Sequence, residues 1–195
     1  DLVRGQAIDR WKAHVDPDLG ALKQDFHPLQ HHRANYMINR SYVTDELEYC
    51  GPQVFGLAQE FLKQNYKDDN WLLQLECFDP HEPFHAPPRF REMYPTDYDG
   101  PILDWPIYKR VTETPEEIAE IRANYAALTT MCDEYFGKLL DFFDENDMWK
   151  DTSLVLTTDH GFLLGEHDWW SKNRMPVYDE IAHIPLMIYH PEFSN

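Results

Sequence analysis

A carboxylate and an imidazole stand side by side at Asp159-His160, with Gly161 directly after them and Lys172 further along the same stretch. Carboxylate oxygen and imidazole nitrogen can both enter the shell of a divalent cation, and an ammonium nearby can hold an anion beside that cation. The chemistry such a set suits is metal-assisted transfer at an anionic tetrahedral centre, where the cation polarises oxygens and stabilises developing negative charge. The same tripeptide also suits an ordinary turn in which Asp159 caps the next segment. Its position bears on that choice. Leu154–Thr158 is a short apolar, β-branched run that reads as a buried strand, and in open α/β sheets sites form where strands end. Gly161 lets the backbone turn at once.

A second imidazole is placed in a similar way. Trp71–Cys77 reads as another buried strand. It runs into Phe78-Asp79-Pro80-His81-Glu82-Pro83-Phe84, where two prolines restrict the backbone around His81. A constrained imidazole titrating near neutrality suits proton transfer, so His81 is read as a general acid. His85 is read as a neighbour at the pocket rim.

The pattern Asp159-His160-Gly161-x-x-x-Gly165-Glu166-His167, followed by Lys172, Tyr178-Asp179-Glu180 and Ile184-Pro185-Leu186, resembles the C-terminal metal-and-anion segment of type I sulfatases, in the alkaline phosphatase superfamily. Asp79-Pro80-His81-x-Pro83 is similar to the loop whose histidine contacts the sulfate in that family, and Arg4-Gly5-Gln6 with Trp11 resembles a further family segment. The resemblance implies an α/β fold, part of an α/β/α sandwich with a mixed sheet flanked by helices. It implies Asp159 and His160 as metal ligands, and His81, Lys172 and His167 on the substrate. The metal is usually calcium in the family, and nitrogen ligation by His160, where many members have Asn, leaves manganese or zinc open. The implied nucleophile is a formylglycine, generated from a Cys or Ser followed by x-Pro-x-Arg. Cys50-Gly51-Pro52-Gln53-Val54 has only part of that motif, with Val54 in place of Arg. Cys50 is therefore read as structural, and the nucleophile and remaining carboxylate ligands are expected from a segment upstream.

The expected activity is hydrolysis of a sulfated sugar or aryl sulfate. The alternatives are a phosphodiesterase or phosphonate monoester hydrolase of the same superfamily, or a binding domain that has lost the chemistry. The chain starts without an initiator Met and reads as the C-terminal part of a catalytic domain, on its own expected to be inactive.

With 195 residues, 43% hydrophobic and 14% aromatic, the chain has the makings of a globular core. A net charge of −18 argues against a nucleic-acid or anionic-membrane partner. A small anionic substrate must then be attracted locally, by a metal, Lys172, Arg174 or histidines. No stretch is long and apolar enough for a transmembrane helix. The three cysteines, Cys50, Cys77 and Cys132, are expected to be buried free thiols. Free thiols favour the cytoplasm, although localisation and oligomeric state are not legible.

The elements that must position these groups follow in order. Residues 1–40 read as irregular covering structure, with His27, His31 and His32 as solvated loop residues, and residues 41–195 as the α/β body. Asn39-Arg40-Ser41 matches a glycosylation triplet of low specificity. Ser41–Tyr66 reads as helical, starting near Thr44-Asp45-Glu46 and interrupted at Gly51-Pro52. Residues 87–113, rich in Pro, Tyr and Asp, read as a substrate loop. Thr114-Pro115-Glu116-Glu117 is a capping-box start for a long helix to about Glu145. Its stripe of Ile118, Ile121, Tyr125, Leu128, Cys132, Tyr135, Leu139 and Phe142 should be core. Trp169 and Trp170 suit either stacking on a substrate or packing. Tyr178–Glu180 should begin a helical turn, Pro185–Tyr189 a third strand, and His183 is read as structural.

Overall fold

The computed structural model describes residues 21–23 and 30–193. His27, the Arg4–Trp11 segment and the side chains of His31 and His32 lie outside the described residues. The longest element is helix α4, Pro115–Glu145, and its start follows from local chemistry. The Thr114 side chain accepts from the Glu117 amide, and the Glu117 carboxylate accepts from the Thr114 amide, so two donors that a helix start leaves unpaired are satisfied at once. Ile121, Leu128, Tyr135 and Leu139 are buried on one face.

That face packs against helix α2, Cys50–Asn65, which buries Phe55, Ala58 and Leu62. Gly51 and Pro52 sit in the first turn of α2, where proline removes no needed hydrogen bond, so the interruption becomes a restart. Before it, a 3-10 turn at Glu46–Glu48 is closed by a capping box between Asp45 and Glu48. A short helix, α3 (Pro88–Arg91), is fastened onto α4 by Arg89, whose guanidinium donates to Glu46 and to Glu134.

Helix α1, Gln30–Tyr42, corrects the expectation of irregular structure through residue 40. Its many polar residues hide an amphipathic pattern, and long-range contacts hold it. Tyr36 donates to Asp104, and Arg40 pairs with the same carboxylate at 2.9 Å. Asn39 lies within this helix with its side-chain oxygen buried, which disfavours it as a glycan acceptor.

Strand β1, Leu154–Thr157, pairs antiparallel with β4, Leu186–Tyr189, in the register Leu154↔Tyr189 to Thr157↔Leu186. Between them, β2 (Leu163–Leu164) pairs with β3 (Trp170–Ser171), and helix α5 is one turn at Asp179–Ala182. Two expectations need correction. Val155, in the strand read as buried, is 60% exposed, as is 64% of its partner Ile188. Trp71–Cys77 forms no ladder among the described residues. Trp71, Leu73, Leu75 and Cys77 do pack toward the core while Leu72 points outward, so the alternation of a strand is present without hydrogen-bonded neighbours. Composition reports burial, whereas pairing depends on which other segments lie alongside.

Cys50 is exposed rather than buried, and Cys77 and Cys132 are half-buried; all three are free. The Cys132 thiol bonds to Cys77, which draws the Cys77 pKa down and pushes that of Cys132 up.

Candidate functional site

Three loops converge on the ammonium of Lys172. Its Nζ lies 3.0 Å from Nε2 of His160 and 3.2 Å from Nε2 of His81. Each imidazole is set by a neighbouring backbone carbonyl. Nδ1 of His160 lies 2.8 Å from the Gly161 carbonyl oxygen, and Nδ1 of His81 lies 2.7 Å from that of Glu82. A carbonyl only accepts, so Nδ1 carries the hydrogen in both rings and Nε2 presents its lone pair to Lys172. The two imidazoles thus flank one lysine, whose side chain is 8% exposed.

The Asp-His loop leaves β1 and doubles back at Gly161. The Gly161 amide donates to the Ile181 carbonyl at 2.9 Å. A Cβ at this position would stand 1.8 Å from the Glu180 carbonyl oxygen, so only glycine lets the loop lie against the turn at α5. Asp159 is largely exposed and accepts from the His160 amide at 3.0 Å. Desolvation is the largest single cause and raises its pKa, but His160, backbone donors and Lys172 together hold the carboxyl below the usual range. Asp159 Oδ2 and His160 Nε2 lie 3.6 Å apart, close enough to serve one cation. Among the described residues no third His, Cys, Asp or Glu completes such a group.

The His81 loop is anchored at the start of α2. Asp79 accepts from the Gly51 amide at 2.8 Å, a carboxylate on the positive end of a helix, although burial pushes its pKa up on balance. Phe78 stacks on the His81 ring at 4.4 Å, and the His81 amide donates to the Phe78 carbonyl. Both X-Pro bonds of the loop, at Pro80 and Pro83, are cis.

Lys172 is presented by a loop with unusual backbone. Gly165, His167, Asp168, Ser171 and Asn173 all have positive φ. The anchor is Trp170, fully buried, whose indole nitrogen donates to Glu113 at 2.6 Å. This tryptophan packs rather than facing a substrate. Trp169 lies under the Arg110 guanidinium, 4.4 Å from its ring centre. Residues 108–111 knit the two halves of the site. The Trp170 amide donates to the Lys109 carbonyl, the Val111 amide donates to that of Asp168, and Tyr108 donates to Glu82.

His167 is placed elsewhere. Its ring stacks on Tyr178 at 3.8 Å, and its Nε2 lies 3.1 Å from both carboxylate oxygens of Glu180. No hydrogen bond joins it to the Lys172 group among the described residues. Its partner was not legible because Glu180 arrives from a later turn. His85 is half-buried against Tyr49, and desolvation pushes its pKa down to about 4, so it is neutral near pH 7. It lines a cavity of about 240 Å³ with Arg40, Arg91, Asp104 and Glu120. Arg174 is exposed.

The sequence reading passed over Glu82 and Tyr108. Glu82 is 2% exposed and sits directly between His81 and Pro83. The available signal was an acidic residue inside a loop already singled out.

A family model described as Sulfatase matches residues 23–193. The choline-sulfatase of Rhizobium meliloti is 28% identical over 171 residues, covering 76% of this chain and 33% of that protein. Arylsulfatase K of Gallus gallus is 32% identical over 102 residues, covering 51% of this chain and 18% of that protein. The chain thus spans a third or less of the length of these relatives. Among solved structures, the phosphonate monoester hydrolase of Agrobacterium radiobacter superposes with a TM-score of 0.64 at 20% identity, over 92% of this chain and 37% of that one. That likeness establishes a partial α/β fold of the alkaline phosphatase type. With a family model matching nearly its whole length, the chain belongs to the sulfatase family of the alkaline phosphatase superfamily.

Proposed function

We propose that the protein carrying this chain hydrolyses sulfuric esters, with this chain supplying the anion-binding and leaving-group side of the active site. The observation that carries the reading is that His81, 91 residues away in sequence, and His160 both reach within 3.2 Å of the Lys172 Nζ, in a chain of the sulfatase family. Asp159, and His160 through Nε2 once Lys172 has turned away from it, would supply two donors to a divalent cation, calcium by family resemblance, with manganese or zinc compatible with the imidazole. When bound, the cation stabilises negative charge on the reacting oxygens. The other ligands, and the formylglycine implied by the family, come from outside these residues.

Lys172 binds a sulfate oxygen as a compact positive charge in a dry setting, where its attraction is strongest. As its hydrogens turn to that oxygen they leave Nε2 of His81, which is then free to take up a proton from solvent before the ester bond breaks. His81 delivers that proton to the departing alcohol or phenol. Nδ1 stays bonded to the Glu82 carbonyl, so the ring keeps its orientation throughout. His167, held by Glu180 and Tyr178, shapes the loop leading to Lys172 rather than binding the sulfate itself. The acidic chain repels a free anion at long range, and attraction begins only inside this pocket.

A second reading, phosphonate or phosphate diester hydrolysis, is favoured by the superposition on the phosphonate monoester hydrolase. Side-by-side assays of the intact protein on 4-nitrophenyl sulfate, a phosphonate monoester and a phosphodiester separate the two. Preference for the sulfate ester, lost in Lys172→Ala, supports the first reading, and no sulfate turnover with any divalent cation rejects it. The isolated 195-residue chain is expected to turn over nothing.

A further inference from the structure

Glu82 is a buried carboxylate in an unusual setting. One oxygen, Oε1, accepts from the Tyr108 hydroxyl at 2.8 Å. The other, Oε2, is buried and accepts no hydrogen bond, yet it lies 3.3 Å from His81 Nδ1 and 4.0 Å from Lys172 Nζ. The Glu82 backbone carbonyl, meanwhile, is the partner of His81 Nδ1. A dry carboxylate without compensation is costly, and so is a dry ammonium. Here each compensates the other directly, with the His81 ring alongside both. Burial, followed by the Glu82 carboxylate, pushes the Tyr108 pKa well up, so its hydroxyl remains a donor. Tyr108 belongs to the same short run whose Lys109 carbonyl receives the Trp170 amide, two residues before Lys172. One segment therefore fixes both the carboxylate and the loop that carries the ammonium.

We propose that Glu82, oriented by Tyr108, is a positioning residue that holds the His81 ring and the Lys172 ammonium in register for proton delivery to the leaving group. It touches no reacting atom and acts through His81 and Lys172. The proposal deepens the sulfatase reading and rests on the acid role given to His81 there.

The test uses the intact protein with Glu82→Gln and Tyr108→Phe. Glutamine keeps the shape and can still accept from Tyr108, but it removes the charge. Turnover is compared on two sulfate esters, a nitrophenyl ester whose leaving group needs little protonation and an alkyl ester whose leaving group needs it. For Glu82→Gln, kcat on the alkyl ester should fall by about ten- to hundredfold, with KM little changed, while the nitrophenyl ester loses less than about threefold. Tyr108→Phe should show the same pattern more weakly. Equal losses on both esters, or none, would overturn the proposal.

A second measurement does not depend on turnover. Nitrogen NMR of ¹⁵N-histidine-labelled protein should report an Nδ1–H tautomer for His81, which the Glu82 backbone carbonyl retains in Glu82→Gln, while the Nε2 resonance shifts in that variant as Lys172 loses its register. Unchanged ring resonances would count against Glu82. If the wild-type protein cleaves no ester but these resonances still respond, the positioning role stands and the sulfatase reading falls.

Discussion

The Nζ of Lys172 lies 3.2 Å from Nε2 of His81, across a sequence separation of 91 residues. Neither residue is placed by its neighbours in sequence alone. His81 is aimed by the carbonyl after it and by Phe78, and Lys172 by a loop pinned at Trp170. Their meeting makes a lysine the hub of the pocket, which leads to the first expectation.

Replacing Lys172 with Ala should lower kcat/KM of the intact protein on sulfate esters by about 10²–10³-fold, the usual range for removing one preorganised charge from a developing anion. The same change leaves Glu82 buried without its nearest ammonium, so melting temperature should also fall. Steady-state kinetics together with thermal melts separate the two effects, and near-normal turnover in a folded variant would contradict the hub role.

Gly161→Ala tests the fit between the Asp-His loop and the α5 turn. The added methyl would collide with the Glu180 carbonyl, and relief requires moving backbone rather than a flexible side chain. The expected loss of stability is about 1–3 kcal/mol. Denaturant titration measures it, and hydrogen exchange should locate the disturbance at the Gly161 amide, which now donates to Ile181.

The attachment of α3 to α4 should be acid-sensitive. Bonding to Arg89 above all, with Lys138 assisting, holds the Glu134 pKa down at about 2 against an ordinary 4.5. A depressed carboxylate stabilises the fold above its ordinary value and ceases to as pH falls through the folded one. The melting-temperature gap between wild type and Glu134→Gln should therefore be widest above about pH 5 and close as pH drops toward 2. Both partners are well exposed, so the gap should be small and shrink in salt. A gap that widens in acid would refute this.

Thr114→Ala removes the side-chain acceptor for the Glu117 amide at the start of the 31-residue helix. A loss of about 1 kcal/mol is expected, without effect on catalysis. Urea unfolding should show it as a lower midpoint with an unchanged slope.

Local rules carried the reading a long way where the physics is local. The capping box at Thr114–Glu117 and the apolar stripe after it fixed α4 from its first residue to Glu145. The Asp-His turn after an apolar run was equally readable, because it depends on residues in direct succession. What lay beyond the sequence depends on distant partners. Trp71–Cys77 has a strand's alternation, but no neighbouring strand among the described residues completes a ladder. The histidine at 167 has the composition of a site residue, yet Glu180 and Tyr178 hold its ring. Glu82 looked like a bystander in its loop, since its significance depends on Tyr108 and Lys172.

The bare outer face of the β1–β4 ribbon has a practical consequence. Val155, Leu186 and Ile188 give it a greasy surface alongside strand backbone, and Met187 is exposed on the opposite face. Such a ribbon invites sticking to other copies or to chaperones. Mutual repulsion among molecules of charge −18 delays this at low ionic strength. Produced in isolation, this stretch of polypeptide should stay clear in dilute buffer and scatter light as salt is added, the reverse of what salting-in would give.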